Sequence, residues 1–98
     1  MGQSMKSARF LMETRLEDAA WHDPDAAYEL GMMLSTGSGG AALDLIAAHK
    51  WFNLAAMAGD RAAMAARAEV AEDMTAREIA EAQKQARAWL QAGMRQAA

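Results

Sequence analysis

The chain contains no cysteine. Disulfides and thiolate metal sites are excluded, and nothing in it calls for an oxidising compartment. Proline occurs once, and β-branched residues are scarce. No stretch alternates apolar and polar residues with the period of two that a half-buried strand requires. No apolar run reaches the ~18 residues of a membrane span. The N-terminus carries no leader-type apolar core, since Phe10-Leu11-Met12 is followed at once by Glu13-Thr14-Arg15. Gly2 follows Met1, yet Lys6 stands where a myristoylation pattern wants Ser or Thr. The default expectation is a cytoplasmic protein. Basic residues number ten against thirteen acids, for a net charge of −3, and they form no run. A nucleic-acid binder usually shows a basic face, so nucleic acid is not an expected partner.

What remains is a composition of helix formers. Ala, Leu, Met, Glu, Gln and Arg dominate the 98 residues. A chain of this length makes one small domain and buries roughly 60–65% of its unfolded surface. Hydrophobic residues are 53% of the total, but many are alanine. A core of alanine is thin and works only where helix backbones approach closely.

Five helices are predicted. The first spans about 4–21, with Met5, Ala8, Met12, Leu16, Ala19 and Ala20 on one stripe. Its bases come early and its acids late, against the helix dipole, so packing must hold it. Asp23-Pro24 opens the second, with Asp as cap and Pro at the first helical position. Ala27, Leu30, Gly31 and Leu34 share its inner face, and Gly37-Ser38-Gly39-Gly40 ends it. Gly31 costs about 1 kcal/mol mid-helix relative to Ala, which a close helix contact would offset. Asp44 caps the third helix, whose buried face is Ala48, Trp51, Phe52 and Ala55. Gly59 stops it and Asp60 caps the fourth, over about 61–73. Thr75-Ala76-Arg77-Glu78 is a capping box for the fifth. That helix carries Ile79, Ala82, Ala86, Trp89, Leu90 and Gly93 on one stripe, with Glu81, Lys84 and Arg87 on the wet side. Connections of two to seven residues imply antiparallel neighbours.

Residues 25–60 carry a pattern that chance rarely makes. Ala26, Tyr28, Leu30 and Gly31 are followed by Gly37 and Gly39, then Asp44, then Ala48, Trp51, Phe52, Ala55 and Ala56, then Gly59. This segment resembles the Sel-one-like repeat, a relative of the tetratricopeptide repeats with a period of about 36 residues. The resemblance implies an all-α fold, a short α-α superhelix of about five antiparallel helices. It covers one full repeat at 25–60. Residues 4–21 then act as an N-terminal capping helix, and 61–92 as a degenerate C-terminal repeat. Three departures stand out: a turn one residue longer before Asp44, Gly40 where Val is usual, and Leu34 where an aromatic is usual. They predict a loosely packed turn. Leu30, Gly31, Gly37, Gly39, Asp44, Ala48, Trp51, Ala55 and Gly59 form the structural signature. In it, Gly31, Ala48 and Ala55 let the two helices close up, and Trp51 fills the gap that alanine alone would leave, burying about 150–250 Å².

Chemical motifs are few. Gly37-Ser38-Gly39-Gly40-Ala41-Ala42 fits G-x-G-x-x-A, but the dinucleotide fingerprint needs a strand before it. His22, Asp23 and Asp25 cluster, yet the other histidine, His49, lies 27 residues away. Glu69, Glu72 and Asp73 are adjacent acids near a helix end, without the separated environments of an acid–base pair. No G-x-S-x-G elbow or Ser-His-Asp order is present. No catalytic residue, metal site or cofactor is expected.

Met32-Met33 sit mid-helix and cannot both face the core. With Tyr28 and Trp21 they offer an adaptable apolar surface. Members of the resembled family are generally adaptors. The resemblance therefore implies a protein–protein interaction module that binds another protein or complex through Trp21, Tyr28, Met32 and Met33. The second expectation is a permanent accessory or assembly subunit of a larger complex, a membrane-bound respiratory one included, with peripheral attachment and self-association both left open. A cysteine-rich branch of the family is associated with β-lactam hydrolysis, but its Cys pairs have no counterpart here.

Overall fold

The computed structural model describes the backbone of residues 2–97 and the side chains of residues 11–39 and 41–95. Among them there is no strand. Five α-helices follow in order: α1 Gly2–Ala20, α2 Pro24–Thr36, α3 Leu45–Met57, α4 Arg61–Glu72 and α5 Ala76–Ala97. A single 3-10 turn, Ser38–Gly40, lies between α2 and α3.

The helix ends lie where their capping residues place them. The Asp23 carboxylate accepts from the Asp25 N–H at 2.9 Å, beside Pro24 at the first helical position. Asp44 accepts from Ala47 N–H and Asp60 from Ala63 N–H. At α5 the box is reciprocal. The Thr75 N–H donates to Glu78 Oε1 at 2.8 Å, and the Glu78 N–H donates to Thr75 Oγ1 at 3.1 Å. Gly37 closes α2 in the left-handed conformation, φ 70°, and its N–H donates to the Met33 carbonyl. Each device satisfies backbone groups that a helix end leaves orphaned.

α3 is the axis of the molecule. It packs against α2, α4 and α5, whereas α1 packs on α2. Accordingly Ala48, His49, Trp51, Phe52, Ala55 and Ala56 are all buried, which no single face of a helix could supply. The core has two parts. One gathers Ala27, Leu30, Trp51, Ala55, Ala56 and Ala63. The other gathers Ala48, Phe52 and Val70. Alanine at 27, 48, 55 and 63 lets the backbones close, and the large rings fill what alanine leaves.

One expectation is refined and three are corrected. First, Trp51 is buried among alanines as expected, and the ring seated against Gly31 is that of its neighbour Phe52. A Cβ on Gly31 would lie 2.5 Å from two Phe52 ring carbons. Trp51 is 97% buried in a separate cluster, with Ala27, Leu30 and Ala55. Successive residues on a helix point about 100° apart, so the two rings serve different neighbours.

Second, the turn after α2 is tied down rather than loose. The Asp44 N–H donates to the Leu34 carbonyl at 2.9 Å, the Ala41 N–H donates to the Ser38 carbonyl at 3.2 Å, and Ala41 is buried. Third, Met12 and Ala19 are exposed although the stripe on α1 places them inward. Of the described stripe only Leu16 and Ala20 reach the core cluster, so α1 meets the fold along a narrower line than the stripe. Met5 and Ala8 of that stripe lie outside the described side chains. Fourth, the short α4–α5 connection does not make those helices close neighbours. α5 packs on α3 instead, through Trp89 against Trp51. Its apolar stripe reaches the aromatic cluster there, which α4 does not offer. Leu90, at the edge of that stripe, stays exposed.

Candidate functional site

Two features of the surface combine unusual geometry with polar groups. The first is a groove between α2 and α4, with α3 as its floor. Met32, Ser35 and Thr36 form the α2 wall. Ala66, Glu69, Val70 and Asp73 form the α4 wall, and Leu45 and Phe52 the floor. The spacing follows from helical period: 32, 35 and 36 on one helix, and 66, 69, 70 and 73 on the other, each lie on one face. The cavity holds about 280 Å³, just under the ~300–1,000 Å³ of small-molecule pockets. It is the size of a socket for one or two side chains.

The groove is polar on its rims and apolar below. Thr36 Oγ1 donates to the Met32 carbonyl at 2.7 Å, and Ser35 Oγ donates to the same carbonyl at 3.2 Å. Those hydroxyls are therefore satisfied within α2. The carboxylates of Glu69 and Asp73, opposite them, make no hydrogen bond or ion pair among the described residues. They sit with Glu72 in the last turns of α4, where no basic residue stands and the exposed carbonyls already carry partial negative charge.

The second feature is an aromatic cluster on the far side of α3. All three tryptophans of the chain meet there. Trp21 stacks on Trp89 with ring centroids 3.7 Å apart and planes 7° from parallel. Trp89 meets Trp51 edge-on at 4.8 Å. Gly93, one turn after Trp89, is the seat of Trp21, because a Cβ there would collide with the Trp21 ring. Lys50 Nζ lies 4.3 Å from the Trp51 ring centroid and 5.5 Å from that of Trp89, a cation–π arrangement. Burial lowers the Lys50 pKa from its ordinary value, while Glu17 and Asp44 act the other way.

Between α3 and α4 lies a buried histidine. His49 is 97% buried, and its Nδ1 has no hydrogen-bond partner. Burial first, then the nearby Arg67 guanidinium, holds its pKa below the ordinary 6.5. Arg67 itself donates to Asn53 Oδ1 at 2.6 Å.

The four residues expected to meet a partner do not share one surface. Met32 lines the groove and is 39% exposed. Tyr28 stands one turn earlier, half-buried, its ring tilted against Phe52 at 5.7 Å. Trp21 is committed to Trp89 and Gly93 on the other side. Met33 is only 7% exposed, since its Cε methyl reaches under the turn to within 3.3 Å of where a Gly39 Cβ would stand. The signature residues hold backbone and packing positions. Leu30, Gly31, Ala48, Trp51 and Ala55 are buried, Asp44 is a cap, and Gly37, Gly39 and Gly59 have positive φ.

Glu69 and Asp73 were legible as an i, i+4 pair but not as groove walls, because their place depends on where α2 stands. Lys50 and His49 gave no signal beyond being polar residues beside the Trp51-Phe52 pair. Asp23, of the His22–Asp25 cluster, is used as a cap. The Gly37–Gly40 run follows a helix, so the strand that a dinucleotide fingerprint requires is replaced by α2. Among the described residues, no three His, Asp or Glu side chains converge as a metal site, and no helix is long and apolar enough to cross a membrane. No protein-family model matches the chain, and no curated protein or solved structure is significantly similar to it.

Proposed function

We propose that this chain is a non-enzymatic protein–protein interaction module, a short helical-repeat adaptor of the Sel-one-like kind, and that it works through the α2–α4 groove. One observation carries this reading: Met32 and Leu45 stay partly exposed in the groove, over buried Phe52, with an unpaired acidic wall beside them. Exposed apolar surface of this sort, rimmed by polar groups, marks recognition sites. The resemblance of residues 25–60 to an adaptor family supports the same reading. The four expected contact residues reduce to Met32, with Tyr28 supporting the floor.

A second reading has its own support. Leu11 and Met12 are exposed on α1 and, with Arg15 and Leu16, frame an apolar depression of about 410 Å³. Leu90 and Met94 are exposed on α5. A permanent accessory or assembly subunit would cover such faces in its complex.

Placing a photo-crosslinking residue at Met32 in one sample and at Leu11 in another separates the two readings. Cross-linking to a protein from Met32, with none from Glu81 on the wet face of α5, is the outcome for the adaptor. Stoichiometric capture from Leu11 alone favours the subunit. Turnover in a hydrolase screen that a point variant abolishes overturns the non-enzymatic reading.

A further inference from the structure

Resting on the groove as the binding surface, we propose that its occupant is a peptide segment of a partner protein with a large apolar side chain followed or preceded by Lys or Arg. The size and the charge of the site both argue for this. The cleft of about 280 Å³ is open, with Leu45 and Met32 partly exposed over buried Phe52 and Val70, so it takes one or two apolar side chains rather than a whole small ligand. Met32 stands at its edge as an unbranched, adaptable wall.

The charge is one-sided. Glu69 and Asp73 face the socket without an internal cation, and Glu72 adds a third carboxylate to the same last turns of α4. Three acids at the negative end of a helix dipole destabilise α4 in the free protein. A cationic side chain laid across that wall relieves the repulsion and meets the negative end of the helix dipole as well. The opposite wall offers nothing to an anion, because the Ser35 and Thr36 hydroxyls are already donating to the Met32 carbonyl. An acidic segment would meet like charge on one side and no free hydroxyl donor on the other. A cationic neighbour beside an apolar anchor therefore matches both halves of the site.

The test is a selection of random linear peptides against the immobilised full chain, followed by affinity measurement by fluorescence polarisation. Expected are peptides with an apolar anchor within a helical turn of Lys or Arg. Their affinity drops about tenfold in Glu69→Lys/Asp73→Lys, falls as salt rises, and is unchanged in Glu81→Lys on the distant face of α5. Ala66→Trp, which fills the socket, abolishes binding with helicity intact by circular dichroism. Selected peptides that are acidic or uncharged, yet lost in Ala66→Trp, overturn the proposed chemistry and leave the groove as the site. Peptides that bind Ala66→Trp as well as the parent overturn the groove reading itself, as does a selection that enriches nothing. Concentration-dependent self-association abolished by Ala66→Trp makes a second copy of the chain the occupant, and overturns the proposal.

Discussion

The aromatic ring of Phe52 occupies the space that any side chain at Gly31 would need. A Cβ built on Gly31 falls 2.5 Å from two of its ring carbons. This one contact sets the separation of α2 and α3 and brings Phe52 to the floor of the groove. Gly31→Ala gains helix propensity of about 1 kcal/mol. It also forces a nearly fully buried ring out of place, at ~1–3 kcal/mol or more. The expected net is a loss of up to about 2 kcal/mol, with Tm lowered by about 4–8 °C for each kcal/mol lost, read by thermal denaturation. Adding Phe52→Leu should recover part of that loss, because the two sites share one volume. Additive losses would show that Gly31 is not there for the ring.

The C-terminal half of α5 is docked by Trp21. Gly93→Ala should displace that ring and weaken its stack on Trp89. The near-ultraviolet circular dichroism of the stacked indoles should diminish, with far-ultraviolet helicity retained. Hydrogen exchange should rise in α1 and in α5 near residues 89–93, while α3 stays protected. Unchanged exchange in α1 would mean that the tryptophan stack does not hold the two ends of the fold together.

His49 predicts a pH dependence of stability. Its folded pKa is lowered from 6.5 by burial and by Arg67. The unfolded chain therefore takes up the proton first as the pH falls below 6.5. Stability contributed by neutral His49 is complete above that value. It declines below it, by at most ~1.4 kcal/mol per pH unit, until the folded value is passed. His49→Met should flatten urea midpoints between pH about 7 and 5, before the carboxylates titrate. Because Nδ1 has no partner, that variant should also be neutral or stabilised at pH 7. A parent protein whose midpoint is flat across this window would refute the assignment.

The box at the start of α5 is reciprocal, so its members should couple. Thr75→Ala should cost about 1 kcal/mol. Glu78→Ala should cost a similar amount, and the double variant less than the sum. Chemical denaturation of the four proteins closes the cycle. Full additivity would mean that the two bonds, 2.8 and 3.1 Å long, act independently.

Much of this molecule is legible along the chain, and for a local reason. Asp23, Asp44, Asp60 and the Thr75–Glu78 pair each act within three residues of their own position, so helix ends can be read without knowing the fold. The buried face of α3 is likewise a matter of period. The groove is different. Glu69 and Asp73 read as exposed acids near a helix end until α2 is placed opposite them. Met33 reads as the equal of Met32, and only the fold of the turn around Gly39 separates them.

Composition and spacing alone thus determined an all-helical chain with five helices and their caps, because propensity, capping and period are short-range properties. Tertiary structure decided that Phe52 meets Gly31, that α5 leaves α4 for α3, and that three tryptophans gather, two of them under Lys50. Those outcomes depend on which rings fit between which backbones at close approach. Steric fit among residues far apart in sequence leaves no periodic trace for a reader of the chain to find.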